Sequence, residues 1–246
     1  MRVAIGFFGQ PRLYSRRHSD ATRRIIDKYN MDVYCHAWWD PNEEFMLGAR
    51  GHKFPAEIDV EAGLQALYSP VKLVLESPVL GFNEHGYTDD IYTQYGKDYL
   101  WCKRFPSSGE YLSAFVTQKR VCSLIDWTKY DFVLRYRYDF ATSTFPDLTK
   151  LSSEKMYAIV NAATYFDKEL YDDCALITPP KFKEVWNVYD YLEDYRDEIT
   201  DLVPEYIHVM HAKKLGLYDD ITKLSNDEFY GKLVRNDEML KGINIL

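Results

Sequence analysis

The first 75 residues alternate between short apolar runs and longer amphipathic stretches, and no other feature of the chain restricts its fold as strongly. Val3 to Phe8 carries no polar alternation, as expected for a strand covered on both faces, and Gly9-Gln10-Pro11 ends it. From Arg12 to Tyr29 the apolar positions Leu13, Ala21, Ile25 and Ile26 recur among charges, which predicts a helix with Asn30 as its stop. Asp32 to Trp38 reads as a second strand. Pro55 to Tyr68 reads as a second helix on the spacing of Ile58, Ala62, Leu64, Ala66 and Leu67, and Val71 to Leu75 follows as a third strand. Strand, helix, strand, helix, strand in this order favours an α/β fold with a parallel sheet and right-handed crossovers.

Residues 77 to 108 hold Pro78, Gly81, Gly86, Gly96 and Pro106 among many aromatics, a long irregular insertion expected on the substrate side. Beyond it, Glu110 to Ile125 reads as a helix and Phe132 to Tyr138 as a strand. Met156 to Val160 and Cys174 to Thr178 read as later strands. Pro179 and Pro180 are expected to open a helix through Tyr191, and Pro204 sits at a favoured first-turn position of another that reaches Leu215. With no repeat and no low-complexity linker, 246 residues are expected to form one domain, a size within the range of single α/β domains.

Apolar runs as short as Val3 to Phe8 fall well below the roughly 20 residues of a bilayer span, so no membrane-spanning segment is expected. Arg2 leads directly into a strand-like run without an export signal, and the expected location is the cytoplasm. Cys35, Cys102, Cys122 and Cys174 lack CxxC spacing and read as reduced, buried residues rather than a zinc site or a disulfide framework. A net charge of -8 opposes sequence-independent nucleic-acid binding, so any phosphate is expected to be bound locally. The abundant aromatics, with 21 Tyr, suit a surface that stacks on bases or sugars.

Alternation along Phe132 to Asp139 puts Phe132, Leu134, Tyr136 and Tyr138 on one face and Val133, Arg135, Arg137 and Asp139 on the other. The second face thus combines two guanidiniums and a carboxylate. On an edge strand this would be a salt-bridged outer face. On a central strand it would lie at the ligand crevice, where the planar forks of paired arginines suit a diphosphate and a carboxylate can hold a hard divalent cation.

Three segments together resemble a group of glycosyltransferases from microbes, viruses and phages: Gly9-Gln10-Pro11-Arg12, Asp32 to Asp40 (DVYCHAWWD), and Tyr130 to Asp139 (YDFVLRYRYD). The resemblance spans roughly residues 1 to 215. It implies a single-domain GT-A fold, Rossmann-like with a mostly parallel central sheet flanked by helices. It also implies a nucleotide-diphosphate sugar, UDP-linked as the commonest carrier, bound over the first strands, with an Asp-x-Asp motif holding Mn2+ or Mg2+. Here Arg137 stands in the place of the first Asp and only Asp139 remains, so the arginines are candidates to replace part of the cation's charge.

Within that frame Phe8, Gly9, Gln10 and Arg12 lie where the nucleotide is expected, although the same residues would also serve an ordinary strand-to-helix turn. His36 closes the second strand as a nucleotide contact or as hydrogen-bonded structure. Gln118 falls inside the apolar stripe of Phe115, Val121, Cys122 and Ile125, and must find a buried partner, either a neighbouring loop or the nucleotide. Asp172 and Asp173 precede the strand at Cys174, and Asp173 is the first candidate for the base that an inverting transfer requires. Glu205 is either a second candidate or a first-turn residue favoured by the helix dipole. His208 and His211, three apart on one helix, are weighed for a metal and lack a carboxylate partner in sequence. The expected reaction is therefore hexosyl transfer to an acceptor hydroxyl on a carbohydrate or other molecule. A nucleotidyltransferase, a sugar-nucleotide hydrolase or a noncatalytic carbohydrate-binding protein is the alternative, and the chain lacks the glycine-rich phosphate loops GxGxxG and GxxxxGK.

Overall fold

The computed structural model describes residues 1–11, 17–42, 45–47, 53–55, 59–77, 109–160, 171–195, 198, 204–225 and 227–233. Strands β1 (Val3–Phe8), β2 (Asp32–Trp38), β5 (Lys72–Glu76), β6 (Phe132–Arg137), β8 (Met156–Val160), β9 (Tyr171–Thr178) and β10 (Ile221–Leu224) form a seven-stranded sheet in the order β10-β8-β9-β6-β1-β2-β5. β9 pairs antiparallel with both neighbours, and every other pairing in the sheet is parallel. Two short ribbons stand apart from it, β3 (Phe45–Leu47) with β4 (Lys53–Pro55) and β7 (Phe140–Thr144) with β11 (Tyr230–Leu233).

All six residues of β1 are buried, as its unbroken apolar run requires of a strand covered on both faces. Val3, Ile5 and Phe7 meet helix α1 (Arg17–Tyr29) through Ile25 and Ile26, and helix α2 (Val60–Tyr68) through Val60, Leu64 and Tyr68. Ala4 and Phe8 face the other layer, built from α3 (Gly109–Leu124), a 3-10 segment at Pro180–Trp186, α4 (Val188–Tyr195) and α5 (Pro204–Lys214). Gly6 lies between them, and a Cβ there would come within 3.1 Å of Val121, 3.3 Å of Ile125 and 3.3 Å of Trp186. Its missing side chain therefore lets α3 and Trp186 settle directly on the central strand. The chain is a mixed α/β fold whose mostly parallel sheet is flanked by helices on both faces.

Several expected boundaries shift for local reasons. The second helix starts at Val60 rather than Pro55: Pro55 pairs with Phe45 in a ribbon, and Asp59 caps the helix by accepting from the Ala62 amide at 3.0 Å. Past Pro180 the chain makes 3-10 turns to Trp186, breaks at Asn187 and resumes as α4. The strand expected from Cys174 begins at Tyr171. β7, β10 and β11 are strands that the sequence did not announce. Arg12 and residues 78–108 of the expected insertion lie outside the described residues. Among the described residues no helix is long and apolar enough to cross a membrane.

Candidate active site

The strand order reverses beside β1. From β1 the chain adds β2 and then β5 on one side, and it returns to place β6 on the other side of β1. At such a reversal an open α/β sheet leaves a crevice outside the carboxyl ends of the two strands, where ligands bind. Phe8 pairs with Arg137, so the exit of β1 (Gly9 to Pro11) and the exit of β6 (Tyr138 and Asp139) are level at this crevice. β9 runs antiparallel to β6 and therefore begins at the edge where β6 ends. Asp172 and Asp173 join that edge as residues of the strand, not of a loop before it. Helix α5 leads through the 3-10 turn Tyr218–Asp220 into β10, which is parallel to β8. It thus runs back along the sheet, with Pro204 and Glu205 at the same edge.

Gly9 turns the chain out of β1 with φ 98°, a left-handed conformation that favours glycine, and a Cβ there would meet nothing within 4 Å. The requirement is conformational rather than steric. The Gly9 carbonyl accepts from the Trp38 amide at 3.1 Å and so ties the exits of β1 and β2 together. Gln10 is half-buried beside it. Phe8 does not face the crevice as a stacking ring: it is packed in the core, and the Arg135 guanidinium lies 5.9 Å from its centroid.

The two arginines of β6 occupy different depths. Arg135 has no exposed surface. One of its terminal nitrogens donates to Gln118 Oε1 at 3.0 Å and to His208 Nε2 at 2.7 Å. A guanidinium only donates, so its bond to His208 requires an unprotonated Nε2 and puts the ring proton on Nδ1, which donates to the Pro204 carbonyl at 2.8 Å; Nε2 also lies 2.8 Å from Gln118 Oε1. Burial and the adjacent guanidinium hold the His208 pKa well below its ordinary value, consistent with that neutral tautomer. Gln118 thus finds the buried partner its place in the apolar stripe demands, and that partner is Arg135. This cluster ties β6, α3 and α5 together one layer beneath the crevice.

Arg137, by contrast, is partly open, its side chain 24% exposed. Its Nε and Nη2 donate to Asp139 Oδ1 and Oδ2 respectively, both at 2.9 Å, a two-pronged pair that employs both oxygens of a carboxylate only 5% exposed. Among the described residues no group of three or more His, Cys, Asp or Glu side chains is arranged to hold a metal ion. His211 sits between the Tyr195 hydroxyl and the Glu184 carbonyl, each at 2.9 Å, so the two histidines of α5 serve separate hydrogen-bond sets. His36 is buried on β2, its Nε2 3.3 Å from Glu76, whose carboxylate also lies 3.6 Å from Arg120. Burial lowers the His36 pKa against the opposing pull of Glu76. Burial also pushes the Cys35 and Cys122 thiols up to about 12, which leaves neither as a thiolate nucleophile near neutral pH.

No family model matches the chain, and no curated protein matches its sequence. Solved structures do align with it. They include the glycosyltransferase GlyE of Streptococcus pneumoniae TIGR4, apo (13% identity, TM-score 0.46, 92% of this chain and 46% of that one) and in a second structure (14%, 0.44, 92% and 45%). A glycosyltransferase involved in glycosylation of the major capsid of PBCV-1 aligns at 9% identity and TM-score 0.40, covering 92% of this chain and 83% of that one. The chain spans less than half the length of the GlyE chains.

Sequence reasoning did not find His208 as the partner of Arg135. The two stand 73 positions apart, and no local spacing signals a contact between a strand and a helix that far along the chain. It likewise gave no sign of Glu76 and Arg120 beside His36, which come from β5 and α3.

Proposed function

We propose that the chain is a glycosyltransferase of the GT-A type. It binds a nucleotide-diphosphate sugar in the crevice between β1 and β6 and transfers the sugar to an acceptor hydroxyl. The observation that carries this reading is the convergence of an oriented guanidinium, Arg137, and the left-handed Gly9 turn at the reversal of strand order beside β1. Such a crevice suits a nucleotide, and a planar guanidinium matches the oxygens of a diphosphate. In the reaction the acceptor oxygen forms a bond to the anomeric carbon as the bond to the diphosphate oxygen breaks. Negative charge grows on the diphosphate, and its stabilisation by Arg137 and backbone amides at Gly9 and Gln10 would be the main contribution of the protein. The acceptor's proton would pass to Asp173, with Glu205 and Asp172 as the other carboxylates at that edge. Arg135, Gln118 and His208 would support Arg137 from beneath rather than touch the donor. UDP is the carrier we expect, and His36 and Arg12 remain candidates for nucleotide contacts.

Incubation with a panel of nucleotide sugars, followed by product analysis, tests the reading. Release of free nucleoside diphosphate, by transfer or by slow hydrolysis, is the expected outcome. Pyrophosphate as the product would mean nucleotidyl transfer, and failure of every nucleotide sugar to bind would point to a noncatalytic protein. Asp173→Asn is expected to keep donor affinity and lower turnover about a hundredfold, with a smaller effect of Glu205→Gln. The opposite ranking would make Glu205 the base.

A further inference from the structure

The resemblance implies a divalent cation at Asp139, and the donor set there does not fit one. Mg2+ and Mn2+ at a nucleotide are held by one or two carboxylates together with phosphate oxygens and water, so a site for them needs at least one carboxylate that is not already committed to a cationic side chain. Among the charged residues of β6 and the turn that follows it, Arg137 already occupies the one carboxylate. Arg135 and Arg137 of β6 and Asp139 of the turn after it are two guanidiniums to one carboxylate, so these three residues sum to a positive charge. Both oxygens of Asp139 are engaged by Arg137 at 2.9 Å in a side chain almost closed to solvent. A cation on either oxygen would sit against the guanidinium bonded to the same carboxylate, and like charges at that separation repel.

From this geometry we infer that the chain binds the diphosphate of its ligand without a divalent cation. Arg137 supplies the positive charge a metal would bring. Asp139 is a positioning residue that fixes the plane of the guanidinium through two bonds, rather than a metal ligand. A guanidinium keeps its proton at any physiological pH and presents a rigid fork of donors. A neighbouring carboxylate holding two of them leaves the fork's direction set before the ligand arrives, which spares part of the ordering cost of binding. The inference rests on the nucleotide-diphosphate reading above and goes beyond it in assigning how the diphosphate charge is met.

The test is a set of titrations of the full chain with UDP, GDP, uridine and inorganic pyrophosphate, each in excess chelator and in excess Mn2+. Wild type, Arg137→Gln, Arg137→Lys and Asp139→Asn are compared, with thermal melting of each variant to confirm folding. The expected result is diphosphate binding in chelator, with affinity within about twofold of that in Mn2+. Arg137→Gln should lose roughly ten- to a hundredfold of that affinity in both conditions, the worth of a charge-assisted pair. Arg137→Lys, with the charge and without the fork, should fall between. Asp139→Asn should weaken UDP about tenfold and leave uridine unchanged, and Mn2+ should not restore the loss; a merely structural role would weaken both ligands together. An affinity that rises tenfold or more with Mn2+ and loses that rise in Asp139→Asn would overturn the inference while leaving the nucleotide reading intact. If no diphosphate binds in either condition, the inference and the reading fall together.

Discussion

Arg135 and Arg137 lie two residues apart on one strand face, and their surroundings give them different work. Arg135 is enclosed by Gln118, His208 and Phe8, and removing either acceptor deprives a buried cation of part of its hydrogen bonding. His208→Leu is therefore expected to destabilise the fold by about 2–4 kcal/mol, measured by denaturant unfolding, whereas Arg137→Gln, which takes a partly open guanidinium from the nearly closed Asp139 carboxylate, should cost less, about 1–2 kcal/mol. Equal losses would mean that the partly open pair at the crevice is as structural as the buried cluster. The sequence made the shared face of the two arginines legible, because strand alternation is a local rule and Phe132, Leu134 and Tyr136 do face the opposite layer. It did not separate their depths. Depth depends on α3 and α5 closing over Arg135, through partners 17 and 73 positions away.

Among the elements, β1, β2 and β8 begin and end where the residue pattern puts them; in sequence the apolar runs of β1 and β8 stop at Gly9 and Asn161. Short strands such as β7 and β10 are not legible in this way: each holds four or five residues, and pairing with a distant partner defines it. The start of α2 shows how capping overrides propensity. Asp59 adopts φ 59° and its side chain accepts the Ala62 amide, two demands that few residues meet together. Asp59→Ala is expected to cost about 1–2 kcal/mol in thermal or denaturant unfolding. Asp59→Asn, which tolerates the left-handed region and still accepts, should cost a few tenths of that. At Gly6 a valine would press on Val121, Ile125 and Trp186 together, so Gly6→Val should destabilise more than Gly6→Ala and push α3 off the sheet.

At the scale of the whole molecule, three histidines among the described residues are buried, His36, His208 and His211, and their pKa values are each lowered, chiefly by burial, from 6.5. Below about pH 6.5 the unfolded chain takes up protons that the folded chain refuses, so stability falls as pH drops from 7 toward 5, each histidine contributing at most about 1.4 kcal/mol per pH unit. Melting temperatures measured across that range should decline, and His211→Gln or His208→Gln should flatten the decline; a profile unchanged by both would place the titration elsewhere. At this scale the strand order also determines which candidates can act together. Gly9, Gln10, Arg137, Asp139, Asp172, Asp173 and Glu205 are scattered over nearly 200 positions, and the reversal at β1 and the antiparallel entry of β9 bring their backbones to one edge. That this edge holds a diphosphate is the central claim, and the most direct measurement is the affinity of UDP and of uridine for wild type and Arg137→Gln by calorimetric titration. The substitution is expected to weaken UDP at least about tenfold while uridine, lacking phosphate, changes by less than about twofold. Equal weakening of both ligands, or UDP binding indifferent to Arg137, would contradict that claim.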